Sequence, residues 1–265
     1  MTAPSTAPSA ELVDRVIAAL RLNHDVLVTL VPHLSEEQLT GPSGASEWTI
    51  AQVLSHLGSG AEISRKPIAR AVGLDVADED NQSIWARWDG STPIDQAAGF
   101  VEHDTALVDL VERLSDEDKA SATIDMGFLP EPVPLVVALG MRLNEVANHV
   151  WDVRVGLDPA AEVDDETAAV LVELYQGPLA FLLGFSGKAD QVDGSVLLAV
   201  PGAGIEIADA VTVVGSADAP DATLTGPSGA TVRLISGRLT PEHSDGVEVS
   251  GAVSLEDLRK VFPGY

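Results

Sequence analysis

Two hydrophobic patterns divide this chain, and the change between them near Gly184 constrains its fold more than any single motif. Before that point apolar residues recur at three- and four-residue steps over long stretches, the period of amphipathic helices. After it, short apolar or alternating runs are separated by Gly, Pro and Asp, which is strand punctuation. At 265 residues the chain is long for one hydrophobic core, so the change of pattern predicts two domains, helical first and α+β second.

The first helix is expected from Glu11 to about His33, with Leu12, Val16, Ala19, Leu20, Val26, Leu27 and Leu30 on its apolar side. The turn-forming Gly41-Pro42-Ser43-Gly44 precedes a second helix capped by Thr49. Its stripe is Ile50, Val53, Leu54, Leu57 and Ala61, and His56 lies to one side of it. Residues 73–91 read as a polar, irregular link carrying Trp85, Arg87 and Trp88. Thr92-Pro93 then supplies an N-cap and a first-turn proline for a helix reaching about Leu114. The segment from Thr123 to Pro134 reads as irregular, and its Pro132 and Pro134 open a fourth helix from about Leu135 to Val155. Four long helices joined by irregular links predict a four-helix bundle, an architecture that builds metal sites from facing helices.

Asp164, Asp165 and Glu166 load the first turn of a further helix with negative charge, favourable against its dipole, and the pattern continues through Leu183. Strands are expected over 195–200, 204–208, 211–214, 222–225 and 247–250, with helices over 228–235 and 255–262. The boundary falls between about 158 and 190, with the 164–183 helix as a bridge. Assigning that bridge to the second part gives domains 1–160 and 161–265.

Composition narrows the function. A formal charge of −26 repels phosphate backbones, and no basic cluster exceeds a pair such as Arg65-Lys66, so nucleic acid is not an expected partner. No run approaches the roughly 18 consecutive apolar residues of a membrane span. The opening Met1–Ser9 lacks the basic start and apolar core of a secretory signal and reads as a short disordered lead-in, which makes the cytoplasm the expected location. With no cysteine, any metal must sit on His, Asp or Glu, and any thiol chemistry needs a thiol from outside.

The fourth helix carries Asn144-Glu145-Val146-Ala147-Asn148-His149-Val150-Trp151-Asp152. Positions i and i+4 share a helix face, so Glu145 and His149 could grip one ion, with His56 of a neighbouring helix as a third ligand. On a wheel of about 100° per residue, Arg142, Glu145, His149 and Asp152 form one stripe. Two arrangements suit it. The stripe faces solvent, with only a weak i,i+4 contact, or it lines a cleft where Glu145 and His149 bind metal and Asp152 orients an imidazole or a bound water. The four tryptophans, Trp48, Trp85, Trp88 and Trp151, could line such a cleft, but rings of their size are expected first in the helical core.

Glu47-Trp48-Thr49-Ile50-Ala51-Gln52-Val53-Leu54-Ser55-His56-Leu57, followed by the 144–152 motif, resembles the two metal motifs of the mycothiol-dependent maleylpyruvate isomerase family, a branch of the DinB-like metal-dependent thiol transferases. Asp221-Ala222-Thr223-Leu224-Thr225-Gly226-Pro227, then Leu234-Ile235-Ser236-Gly237-Arg238 and Val249-Ser250-Gly251, is similar to that family's sterol-carrier-like C-terminal domain. The resemblance implies a DinB-like four-helix bundle with metal ligands His56, Glu145 and His149, a divalent ion with zinc foremost, and mycothiol as thiol cofactor. It implies an enzyme that sets the thiol against an electrophilic small molecule, by cis–trans isomerisation of a maleylpyruvate-type acid or by S-transfer. Arg87 and Arg238 are the candidates for gripping substrate carboxylates, since guanidinium pairs with carboxylate through two parallel hydrogen bonds. Arg142, with Asp152, is a candidate on the ligand stripe itself. The competing expectation is a non-catalytic small-molecule or lipid-binding protein that uses the C-terminal domain.

Overall fold

The structure, a computed structural model, describes residues 10–264, so the expected lead-in Met1–Ser9 lies outside the described residues. The chain divides into two compact units, residues 1–158 and 159–265.

In the first unit the helices are α1 (Ala10–Leu30), α2 (Glu36–Leu39), α3 (Ile50–Ala71), α4 (Asn81–Asp89), α5 (Pro93–Glu112), α6 (Asp116–Ser121) and α7 (Leu135–Val155). Four are long, and each packs on two others: α1 on α5 and α7, α3 on α5 and α7. The sequence explains their limits. Thr49 and Thr92 cap α3 and α5 by accepting from Gln52 N and Asp95 N, worth about 1 kcal/mol each. Pro32 ends α1 in a short 3-10 turn at Val31–His33. The buried faces of α3 and α7 include Ile50, Val53, Leu54, Leu57, Leu139, Leu143, Val150 and Trp151.

Two expectations need correction here. Residues 73–91 are not all irregular, because Asp80 caps α4 through Ser83 N and the helix buries Ile84 and Trp88, one turn apart. The segment before α7 contains a minimal antiparallel pair, β1 (Thr123–Ile124) with β2 (Val133–Pro134).

The second unit begins with α8 (Asp165–Gln176). The expected continuation to Leu183 is broken at Gly177-Pro178, after which a 3-10 turn leads into α9 (Leu183–Ser186). A five-stranded sheet follows, built from β3 (Val196–Val200), β4 (Ala203–Ile207), β5 (Val211–Val214), β6 (Ala222–Thr225) and β7 (Glu248–Gly251) in the order β5-β4-β3-β6-β7. Only β3 and β6 run parallel, with Leu198 opposite Ala222. Helices α10 (Gly229–Ile235) and α11 (Leu255–Val261) complete the unit, and α8 packs on α10 and β5. Alternation along β3 buries Val196, Leu198 and Val200, the period-two signature read from sequence. Among the described residues no single helix is long and apolar enough to cross a membrane.

Candidate metal centre

His56 of α3 and Glu145 and His149 of α7 offer ligand atoms that all lie within 4.8 Å of one another. His56 Nε2 is 3.2 Å from Glu145 Oε2, and His149 Nε2 is 3.6 Å from the same oxygen. The i,i+4 spacing stacks the α7 pair on one face, and the packing of α3 on α7 brings in the third group. Behind the cluster, His149 Nδ1 lies 2.7 Å from Asp152 Oδ2. Asp152 is fully buried, so its carboxylate fixes the imidazole and leaves Nε2 turned toward Glu145.

Side-chain exposure of 39% for His56, 42% for Glu145 and 12% for His149 leaves the cluster reachable from solvent. Partial burial works to raise the Glu145 carboxyl, but hydrogen bonds and charge from His149 and His56 outweigh it and hold the group well below the usual carboxylate range. It is therefore ionised at neutral pH, as a ligand must be.

Trp48 stands beside this cluster and is 39% exposed rather than packed in the core. Its ring lies 5.3 Å from His56 and stacks on His149 at 5.9 Å and 22°. The loop before α3 puts it there. Ser43 N and Oγ both donate to the Trp48 carbonyl, at 3.2 and 2.8 Å, and Gly44 N donates to the Asp152 carbonyl at 2.8 Å. Glu47 sits at φ 74°, the left-handed region that costs a non-glycine residue about 1–2 kcal/mol. Gly44 packs so closely on α7 that a Cβ there would meet Trp151 at 2.9 Å and the Asp152 backbone at 3.0 Å. Of the other tryptophans, Trp88 and Trp151 are buried as expected, whereas Trp85 is 49% exposed.

Arg87 lies on α4, where its Nη2 donates to Glu62 at 2.6 Å and to Glu79 at 3.3 Å. Arg142 is buried, and its Nη2 donates to the Leu57 carbonyl and to Asp104. The stripe on α7 is thus neither wholly solvent-facing nor wholly a cleft: Arg142 and Asp152 point into protein, while Glu145 and His149 face the opening. Arg238 belongs to the second unit, where its Nη1 donates to the Ser236 carbonyl at 3.5 Å. That unit also holds a cavity of about 170 Å³ lined by residues including Leu234, Leu239, Phe262 and Pro263. It is smaller than the roughly 300–1,000 Å³ of pockets that take drug-sized ligands.

Residues 20–154 match the family model described as the mycothiol maleylpyruvate isomerase N-terminal domain. Two Mycobacterium tuberculosis proteins, uncharacterized protein MT0763 of strain CDC 1551 / Oshkosh and uncharacterized protein Rv0738 of strain ATCC 25618 / H37Rv, are similar to this chain. Each is 29% identical over 144 residues, spanning 54% of this chain and 68% of its own length. Among solved structures, a mycothiol-dependent maleylpyruvate isomerase superposes with a TM-score of 0.61 at 18% identity, covering 96% of this chain and 97% of that one. A histidine-to-alanine mutant of that isomerase gives 0.60 at 17% identity with the same coverage. At such identity the likeness establishes the fold: a helical N-terminal region followed by a sheet-containing C-terminal one.

Proposed function

Because the chain belongs to the mycothiol maleylpyruvate isomerase family, we propose that it uses a low-molecular-weight thiol, mycothiol first, as the nucleophile on an electrophilic small molecule, with a divalent metal ion held by His56, Glu145 and His149. The observation that carries this reading is the convergence of those three side chains within 4.8 Å. Two imidazoles and a carboxylate suit zinc, and three protein ligands leave a position for an incoming group. A divalent ion held by these residues would lower the pKa of an incoming thiol and so favour thiolate at neutral pH. The chain has no cysteine of its own, which agrees with an external thiol.

The protein's own residues orient and enclose. Asp152 holds the His149 ring, and Trp48 forms an aromatic wall beside both imidazoles. We assign Arg87 to a substrate carboxylate: both of its bonds leave from Nη2, so Nη1 and Nε can serve another acceptor. Arg238 is the second such candidate. Arg142, enclosed in the core, is assigned a supporting part rather than contact with the thiol. The 1–160 region is read as a DinB-like four-helix bundle and 161–265 as a sterol-carrier-like domain.

For a maleylpyruvate-type acid, the thiolate adds to the cis double bond, rotation follows about the new single bond, and expulsion of the thiolate leaves the trans isomer. In S-transfer the adduct is protonated and kept. The reading is tested by incubating the zinc-loaded protein with mycothiol and a maleylpyruvate-type acid, following products by NMR. Isomer or adduct formed only with thiol, and lost in His149→Ala, supports it. Absence of either product with thiol present, for this acid and for a panel of other electrophiles, overturns it.

A further inference from the structure

A second polar cluster is buried where the four long helices meet. Asp104 of α5 is 3% exposed, and its two oxygens serve two other helices. Oδ2 lies 2.8 Å from Nδ1 of His24 on α1, itself 3% exposed, and Oδ1 accepts from Arg142 Nη2 of α7 at 3.0 Å. The same Nη2 donates to the Leu57 carbonyl of α3 at 2.8 Å. One carboxylate and one guanidinium therefore link all four long helices.

Stability alone does not account for this arrangement. Desolvating two ions commonly costs as much as their attraction returns, and an apolar core of equal volume serves as well or better. Location supplies the reason. Leu57 follows His56 in α3, and Arg142 lies one helical turn before Glu145 in α7. The Arg142 bond to Leu57 thus spans the two helices that carry the proposed metal ligands, beside the ligands themselves. Gly60 makes the approach possible, since a Cβ there would lie 2.8 Å from Arg142 Nη1.

We infer that the His24–Asp104–Arg142 network is a positioning device that fixes α3 against α7 and so holds His56 in register with Glu145 and His149. The inference rests on reading those three as a metal centre. Asp104 and Arg142 are positioning residues and act through the backbone of α3.

The test removes both charges together, as Asp104→Asn with Arg142→Met, so that no unpaired carboxylate or guanidinium is left buried and residue 104 keeps an amide to partner His24. Gly60→Ala is made separately; alanine favours the helix while its methyl displaces the guanidinium. Two readouts are taken on protein whose fold is verified by circular dichroism: the imidazole ¹H–¹⁵N resonances of His56 and His149 without metal, and zinc affinity by chelator competition. Both variants are expected to shift the two imidazoles and to weaken zinc binding about 10-fold or more, as loss of supporting contacts does at metal sites. Should the double variant fail to fold, Gly60→Ala decides. Unchanged imidazoles overturn the inference. Shifted imidazoles in a protein whose wild type takes up no zinc uphold the positioning and refute the metal reading. Wild-type zinc binding that both variants match refutes the positioning and leaves the metal reading intact.

Discussion

Asp152 and His149 meet behind the candidate ligands, with Oδ2 2.7 Å from Nδ1, the carboxylate wholly buried and the imidazole mostly so. A buried carboxylate at that distance fixes the tautomer and raises the basicity of the opposite nitrogen. Asp152→Asn preserves volume and one acceptor but removes the charge. Zinc affinity measured by chelator competition should fall about 10- to 100-fold while the helical circular dichroism is retained.

Gly44 sets how closely the loop carrying Trp48 lies on α7. A methyl there would stand 2.6 Å from Val155 Cγ1 and 3.0 Å from the Asp152 backbone, so loop or helix must move. Gly44→Ala should destabilise by about 1–3 kcal/mol in urea unfolding, the usual cost of overpacking.

Trp48 touches both imidazoles and is half-exposed, so its fluorescence reports on the cluster directly. Zinc titration should change the wild-type emission. The change should vanish in Trp48→Phe, although Trp85, Trp88 and Trp151 remain.

Glu62 is buried beneath Arg87. Burial works to raise its carboxyl, but hydrogen bonds from Arg87 and Trp88 and the neighbouring His103 hold it below the ordinary value of 4.5. The unfolded chain therefore takes up the proton first as pH falls. This group's stabilisation is present in full above 4.5 and is lost as pH drops toward the folded value. Arg87→Gln should cost about 1 kcal/mol at pH 7, the half-exposed guanidinium being screened by solvent. It should also flatten the fall of melting temperature below pH 4.5.

Sequence exposed some of this architecture and hid the rest for physical reasons. α7 was legible because Pro134 precedes a long apolar period, and the Glu145/His149 spacing follows from one helix alone. α4 was not, because only Ile84 and Trp88 turn inward and its exposed remainder, mostly polar apart from Trp85 and Ala86, matches a loop. Asp104 and His24 look like surface residues on isolated helices. Their burial depends on α1, α5 and α7 meeting, which no local pattern reveals. The size of Trp48 favours core over cleft, whereas its place beside the imidazoles is set by the Ser43 and Gly44 hydrogen bonds of a loop. The break after α8 was visible as Gly177-Pro178, but the apolar run continuing to Leu183 masked it.

The central claim is that His56, Glu145 and His149 hold one divalent ion, and elemental analysis of the untagged protein after zinc loading and dialysis tests it most directly. Near one zinc per wild-type chain, with little in His56→Ala or Glu145→Ala, is the predicted result. A wild-type protein that retains no zinc, or variants that retain as much as the wild type, would contradict it.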